Sequence, residues 1–322
     1  MSGLVERACK LKKKIAFPEG DDPRVIEAAA RLAREGVVQP ILIGKAPPSP
    51  PPGVTFIDPA NSEHLRRYAA YYFDRRRAKG VTQMEAEQIA RQPLYFASIM
   101  VGMGDADGSV GGAANTTAET VRAALHCVGA DPRARLVSST FIMALHDESK
   151  GHHGLIAFAD CAVVIEPTAV QLAEIAIATA GTVRALMNCE PAVALLSFSS
   201  KGSGKHEQVK KVVEAFRVCK VRAPEINIDG ELQSDAAVDA IVGASKAPGS
   251  PVAGRANALI FPNLAAANIS YKLLERMCGA SAIGPFMQGL AKPANDLSRG
   301  VSAEDIYNVA AVTALQAEFA SA

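Results

Sequence analysis

The stretch KPANDLSRGVSAEDI, Lys292 to Ile306, gathers a serine, an arginine and an acidic pair between two apolar runs. Two uses fit those residue types at that spacing. Ser302 followed three residues later by Asp305 is the pattern of a helix cap with its reciprocal acidic partner. Ser298 beside Arg299 offers a neutral and a charged donor for an anion, and Asp305 offers a base; both uses can hold at once. Other donors lie far off in the chain. YYFDRRRAKG holds Arg75, Arg76 and Arg77 with Lys79, which is either a solvated helix end or a phosphate clamp. In NTTAETVRAA, Thr116 or Thr117 can cap a helix with Glu119 in its first turn, and Arg122 follows about a turn later. KAPGSPVAGRAN, Lys246 to Asn257, sets Ser250 and Arg255 among two prolines and two glycines, a rigid loop that serves as a plain turn or as the wall of a site.

Several other motifs fall short of their templates. GMGDADG, Gly102 to Gly108, has the spacing GxGxxxG rather than a dinucleotide fingerprint, and no apolar strand leads into it. SSKGSGKH, Ser199 to His206, lacks the first glycine and the final Ser or Thr of a Walker loop. It is either a flexible turn or a loop presenting N–H groups to a phosphate. His146, His152 and His153 share a polar turn with Asp147 and Glu148 at no metal-binding spacing, and Asp235 and Asp239 suit a solvated helix face. No metal site is expected.

These residues must be held by a sizeable scaffold. The 322 residues suffice for two domains. With 34 Lys plus Arg against 33 Asp plus Glu, there is no surplus of positive charge for a nucleic-acid backbone. The first 20 residues carry early charges and no run long enough for a signal peptide or membrane span, so a cytoplasmic protein without membrane attachment is expected. The six cysteines show no CxxC and no zinc-like His spacing, and are expected as reduced thiols. Strand-like runs alternate with Ala-rich helical patterns, which predicts α/β architecture with largely parallel sheets. KIAFPEG, VQPILIGKA and VTFIDP are strands of the first half, with PPSPPPG an extended connection. RLVSSTFIMAL, LIAFADCAVV, AVALLSF and NALIFPNL suggest a second sheet, and Pro167 to Leu186 is the clearest helix.

KKIAFPEGDDPRVIEAA, NTTAETVR, ADCAVVIEPTAVQLAEIAI, SFSSKGSG, IDGELQSDAA, KAPGSPVAGRAN, IFPNLAAANISYKL, AIGPFMQGLAKPANDLSRG and SAEDI, in this order, resemble the phosphate acetyltransferase family from about residue 13 onward. The resemblance implies transfer of an acetyl group between coenzyme A and inorganic phosphate, with coenzyme A a substrate and no resident cofactor. It implies two α/β/α sandwich domains with the active site in a cleft between them, a fold similar to the isocitrate and isopropylmalate dehydrogenases, and a homodimer. The domains are expected at 1–134 with 300–322, and at 135–299. By motif, the catalytic residues fall on Ser298, Arg299 and Asp305, and the further functional arginines on Arg76 and Arg122; Ser250 and Arg255 are expected to help bind CoA or phosphate. Where the family commonly reads GAVHTTA this chain reads GGAANTTA, so Asn115 replaces a histidine. The implied chemistry needs a thiolate, and a thiol with a pKa of about 8.5 needs a base, which is Asp305's expected role. Without a GxSxG or an adjacent base, Ser298 is expected to donate a hydrogen bond rather than attack. The alternatives are a propionyl or butyryl transferase, a dehydrogenase of the same superfold, or a silent regulatory module.

Overall fold

The computed structural model describes residues 2–319 and divides the chain into two units. One contains residues up to 134 and from 290 onward, the other residues 135–289.

In the first unit, α1 (Ser2–Cys9) and β1 (Lys14–Phe17) lead to α2 (Pro23–Arg34). The helix starts where it does because the Asp22 side chain accepts the Arg24 N–H and Pro23 has no N–H to satisfy. Val25, Ala28, Ala29 and Leu32, at helical spacing, are its buried face. Next come β2 (Gln39–Ile43), β3 (Thr55–Ile57), α3 (Leu65–Arg76), α4 (Gln83–Ala90), α5 (Pro93–Met103), β4 (Gly108–Gly111) and α6 (Thr117–Cys127). The proline-rich run between β2 and β3 is neither helix nor strand. GMGDADG closes α5, with Gly104 in the left-handed conformation, and so precedes a strand instead of following one.

The second unit contributes β5 (Ser138–Ala144), β6 (Leu155–Ala159), α7 (Ala169–Thr182), β7 (Ala192–Leu196), α8 (Glu207–Arg222) and β8 (Asn227–Leu232). It continues with α9 (Ser234–Val238), α10 (Ala240–Lys246), β9 (Ala258–Ile260), α11 (Leu264–Cys278) and β10 (Ser281–Gln288). The chain then returns to the first unit with β11 (Ala294–Asp296) and α12 (Ala303–Phe319).

The first sheet is wholly parallel in the order β11-β4-β1-β2-β3. Helix α12 packs against both α1 and α2, and α3 to α6 form a second group. Phe17, Ile15, Leu32, Leu42, Ile43, Phe96 and Ile99 are fully buried between the layers. Because β11 pairs with β4, residues 290–299 belong to this unit, and the second domain ends ten residues earlier than the expected boundary at 299. Residues 1 and 320–322, also assigned to the first domain, lie outside the described residues.

The second sheet has six strands in the order β10-β5-β6-β9-β7-β8, the four apolar runs joined by β8 and β10, with β5 antiparallel to both neighbours. Helices α7 and α8 pack together, and α9, α10 and α11 also contact this sheet's strands or one another. Residues Ala169–Met187 are long and apolar enough to cross a membrane, yet Leu172, Ala173, Ile175, Ala176 and Ala180 are buried among the strands of this unit. Asp239 breaks the run SDAAVDA into two helices by capping α10 through the N–H groups of Ile241 and Val242.

Candidate active site

In a parallel sheet all strands end on one edge, and ligands bind outside those carboxyl ends where the strand order reverses. In the first unit β1 runs on to β2 on one side while β4 and β11 lie on the other, so the reversal falls between β1 and β4. Glu19 follows β1, Gly112 follows β4, and Ser298 follows β11 by two residues. The sequence motif NDLSRG therefore reaches this edge through a strand.

Ser298, Arg299 and Gly300 are exposed and form a turn, closed by the Val301 N–H donating to the Ser298 carbonyl at 3.1 Å. Arg24 holds that turn. Its guanidinium donates to the carbonyls of Arg299 (2.8 Å) and Val301 (3.0 Å), and to that of Ala113 (3.0 Å) on the loop ahead of α6. Asp22 orients Arg24 with hydrogen bonds at 2.7 and 3.1 Å, and the arginine beside it holds the Asp22 carboxyl below its usual range.

Ser302 and Asp305 make the reciprocal cap read from their spacing. Asp305 accepts from the Ser302 N–H (2.9 Å) and hydroxyl (2.7 Å), while the Asp305 N–H donates back to the Ser302 oxygen at 3.2 Å. Asp305 is exposed at the start of α12.

Of the two candidate caps for α6, Thr116 serves, in a full capping box with Glu119. Arg122 lines a cleft of about 340 Å³ with Glu19, Asp21, Tyr95, Asn115 and Glu119. The three adjacent arginines divide their work. Arg75 donates to the His126 carbonyl at 3.0 Å, and Arg77 is exposed near Asp74. Arg76 is half-buried, and its Nε has no hydrogen-bond partner. Its charge and that of Arg122 both reach His126, whose pKa is lowered first by burial and then by those two arginines. The structure thus gathers Arg76 and Arg122 around Tyr95 and His126, while Arg299 acts on Glu119 beside the cleft.

Ser250 and Arg255 belong to the second unit. The Ser250 hydroxyl donates to buried Asp229, and its oxygen accepts the N–H groups of Val252 (3.2 Å) and Ala253 (3.0 Å). Ser250 therefore ties its loop together, and Arg255 is exposed. The SSKGSG loop is also tied inward: the Gly202 N–H donates to Glu231 at 2.7 Å, and those of Ser200 and Gly204 donate to serine oxygens at 3.0 and 2.9 Å.

Three residues of the edge escaped the reading of the sequence: Arg24, Glu19 and Asp296. Glu19 accepts from the N–H of Gly112 (2.8 Å) and from Asn115 Nδ2 (2.6 Å). Asp296 accepts the Thr117 hydroxyl at 2.6 Å. For Glu19 the available signal was a carboxylate two residues after the strand-like run ending at Phe17; Asp296 is the last residue of β11, a strand with no apolar run to announce it.

The model of the phosphate acetyl/butaryl transferase family matches residues 1–314. The chain is 46% identical over 326 residues to a phosphate acetyltransferase from Acetivibrio thermocellus, covering 99% of this chain and 98% of that one. It is similar to the crystal structure of a phosphotransacetylase from Streptococcus pyogenes, with a TM-score of 0.92 and 43% identity over 99% of this chain and 98% of that one. A 4-hydroxythreonine-4-phosphate dehydrogenase from Burkholderia phymatum shares the fold alone, with a TM-score of 0.51 and 13% identity over 96% of this chain and 97% of that one. Near-complete coverage at this identity means that the chain belongs to the phosphate acetyl/butaryl transferase family.

Proposed function

We propose that the protein is a phosphate acetyltransferase, moving an acetyl group between coenzyme A and inorganic phosphate by direct attack in a ternary complex. The observation that carries this reading is a set of arginines, Arg76 and Arg122 around Tyr95 and Arg299 on the turn after β11, none of which is held in an ion pair. Among the described residues Arg76, Arg122 and Arg299 enter no salt bridge, although acidic and basic residues are nearly equal in number. Such cations suit substrate anions, because a guanidinium matches a phosphate with paired donors.

In this reading Arg76 and Arg122 hold the phosphates of coenzyme A. Arg299 neutralises the phosphate and the thiolate, and Ser298 donates to the acetyl oxygen as it gains charge. Loss of one such donor costs about 10² to 10³ in rate. Asp305 draws the proton from the thiol. Arg255 and its loop, shaped by Ser250, add to the binding of CoA or phosphate. No resident cofactor is called for, since coenzyme A is itself a substrate. A cytoplasmic homodimer completes the proposal, supported by six free thiols and by an apolar stripe on α11, where Ile269, Leu273 and Met277 are 59%, 52% and 78% exposed.

Loss of thioester absorbance with acetyl-, propionyl- and butyryl-CoA plus phosphate tests the reading. Acetyl-CoA should be used fastest. A methylene is worth about 1–3 kcal/mol of discrimination, so a reversed order would make this a sister acyltransferase of longer chains. No turnover by folded protein would refute the reading.

A further inference from the structure

Acetyl transfer from phosphate to sulfur has two proton positions to satisfy. The thiol loses a proton, and the departing phosphate oxygen must gain one, since the dianion of acetyl phosphate would otherwise expel a trianion. Asp305 answers for the first in the function proposed above, on which this inference rests. Nothing in that reading answers for the second.

Strands β1, β4 and β11 bring two buried carboxylates to the same residue. Glu19 is 5% exposed and Asp296 is 1% exposed. Oε1 of Glu19 accepts from Gly112, Asn115 and, at 3.4 Å, Ala114, while its Oε2 is buried with no partner. Oδ2 of Asp296 accepts the Thr117 hydroxyl, while its Oδ1 is also buried with no partner. Gly112 makes this approach feasible: its φ is +110°, and a Cβ there would lie 2.4 Å from Asp296 Oδ1. A carboxylate as shielded from water as Asp296 ionises only at a penalty, and a proton on it makes its orphaned oxygen a donor. Glu19 also lines the cleft that holds Arg122.

We propose that Glu19 and Asp296 form the general acid at the phosphate end of the reaction, with Asp296 holding the proton and Glu19, which lines the cleft, passing it to the leaving oxygen. The sulfur forms its bond to the acetyl carbon as its own proton passes to Asp305. The carbon–oxygen bond breaks with its electron pair on oxygen, which takes the proton the pair supplies and leaves as hydrogen phosphate. In reverse, the ionised pair removes that proton from attacking phosphate. Asp305, open to water, releases its proton to solvent, and the pair regains one from solvent through the cleft that Glu19 lines before the next turnover. Burial foremost, with Glu19's charge in addition and against the Thr117 and Thr120 hydroxyls, pushes the Asp296 carboxyl up to about 6. The charged groups around the pair are Arg24 of α2, which faces Glu19, Asp21 beside it, Glu119 and Arg122 of α6 in the cleft, and Arg299, whose charge reaches Glu119.

The test is the pH dependence of acetyl-CoA formation from acetyl phosphate and CoA. In that direction the pair works while protonated, so kcat falls as pH rises through its pKa. Glu19→Gln and Asp296→Asn should remove this alkaline limb and lower kcat about 10² to 10³-fold with little change in KM for CoA, and Glu19→Asp should restore part of the rate. Thr117→Val provides a milder check, because Thr116 caps α6 and the lost hydroxyl favours ionised Asp296. It should move the limb to higher pH, whereas Asp305→Asn should slow the enzyme and leave the limb in place. Wild-type kcat and profile in Glu19→Gln and Asp296→Asn would overturn the proposal. So would an unmoved limb in Thr117→Val, or a loss confined to KM. Wild-type protein without turnover would sink the proposed function and this inference together; an active wild type with unmoved limbs would sink the pair alone.

Discussion

Replacing Arg24 with alanine separates the positioning of the Ser298–Arg299 turn from its chemistry. The change removes three hydrogen bonds to carbonyls, two on the turn and one on the loop that precedes α6. A hydrogen bond from a charged donor is worth about 1.5–3 kcal/mol when its partner stays dry. Here the Arg24 side chain is 34% exposed and the freed carbonyls can turn to water, so the whole loss should be near ~2 kcal/mol. For a unit of this size that lowers the melting temperature by about 4–8 °C. The larger effect is on rate, because a displacement of about 1 Å at a catalytic turn costs on the order of 10² in turnover. Thermal melting and steady-state kinetics on the same preparation should therefore show a small loss of stability, a large loss of kcat and a nearly unchanged KM for CoA. Arg24→Lys should recover little, since one ammonium does not span three carbonyls. A folded Arg24→Ala enzyme with wild-type kcat would refute the positioning argument.

The other expectations concern single side chains. Asp305→Asn should lower kcat by about 10² to 10⁴ with little effect on KM for CoA, and cost ~1 kcal/mol of stability by weakening the cap; unchanged turnover in the folded variant would remove it as the base. Arg76→Ala and Arg122→Ala should each raise KM for CoA about tenfold, and unaltered constants would exclude both from the CoA site. The folded-state pKa of Asp296, about 6 against an ordinary 3.8, means that the native protein binds the extra proton. The stability of its neutral form is thus present below about pH 4 and lost as pH rises toward about 6. Asp296→Asn stays neutral and should exceed wild type in urea melts at about pH 8 by up to about 3 kcal/mol; the same difference at about pH 4 would contradict the linkage.

The helices were legible where one face carries the pattern. Val25, Ala28, Ala29 and Leu32 mark α2, and the Ser302–Asp305 spacing marks the start of α12. The strands nearest the site were not. β4 is GSVG and β11 is AND, sequences with no apolar run, because both are short and buried while their ends carry function. β8, NIDGEL, buries Asp229 and Glu231 to hold the SSKGSG loop, and a buried carboxylate in a strand runs against the alternation that reveals strands. With β11 unseen, residues 290–299 were assigned to the second domain. Arg76 was picked out by motif; the structure distinguishes it physically, as the half-buried member of three adjacent arginines with an unpartnered Nε. Arg24 and Glu19 act through backbone groups distant in sequence, and nothing in the linear pattern records those contacts.

The central claim is that the acetyl group passes directly between coenzyme A and phosphate, with Ser298 donating a hydrogen bond and never carrying the group. Initial rates measured while acetyl-CoA and phosphate are varied together test it most directly. Direct transfer predicts lines that intersect in a double-reciprocal plot, and no exchange of label between CoA and acetyl-CoA when phosphate is absent. Parallel lines, together with an acetylated Ser298 peptide that forms as fast as the enzyme turns over, would contradict the account.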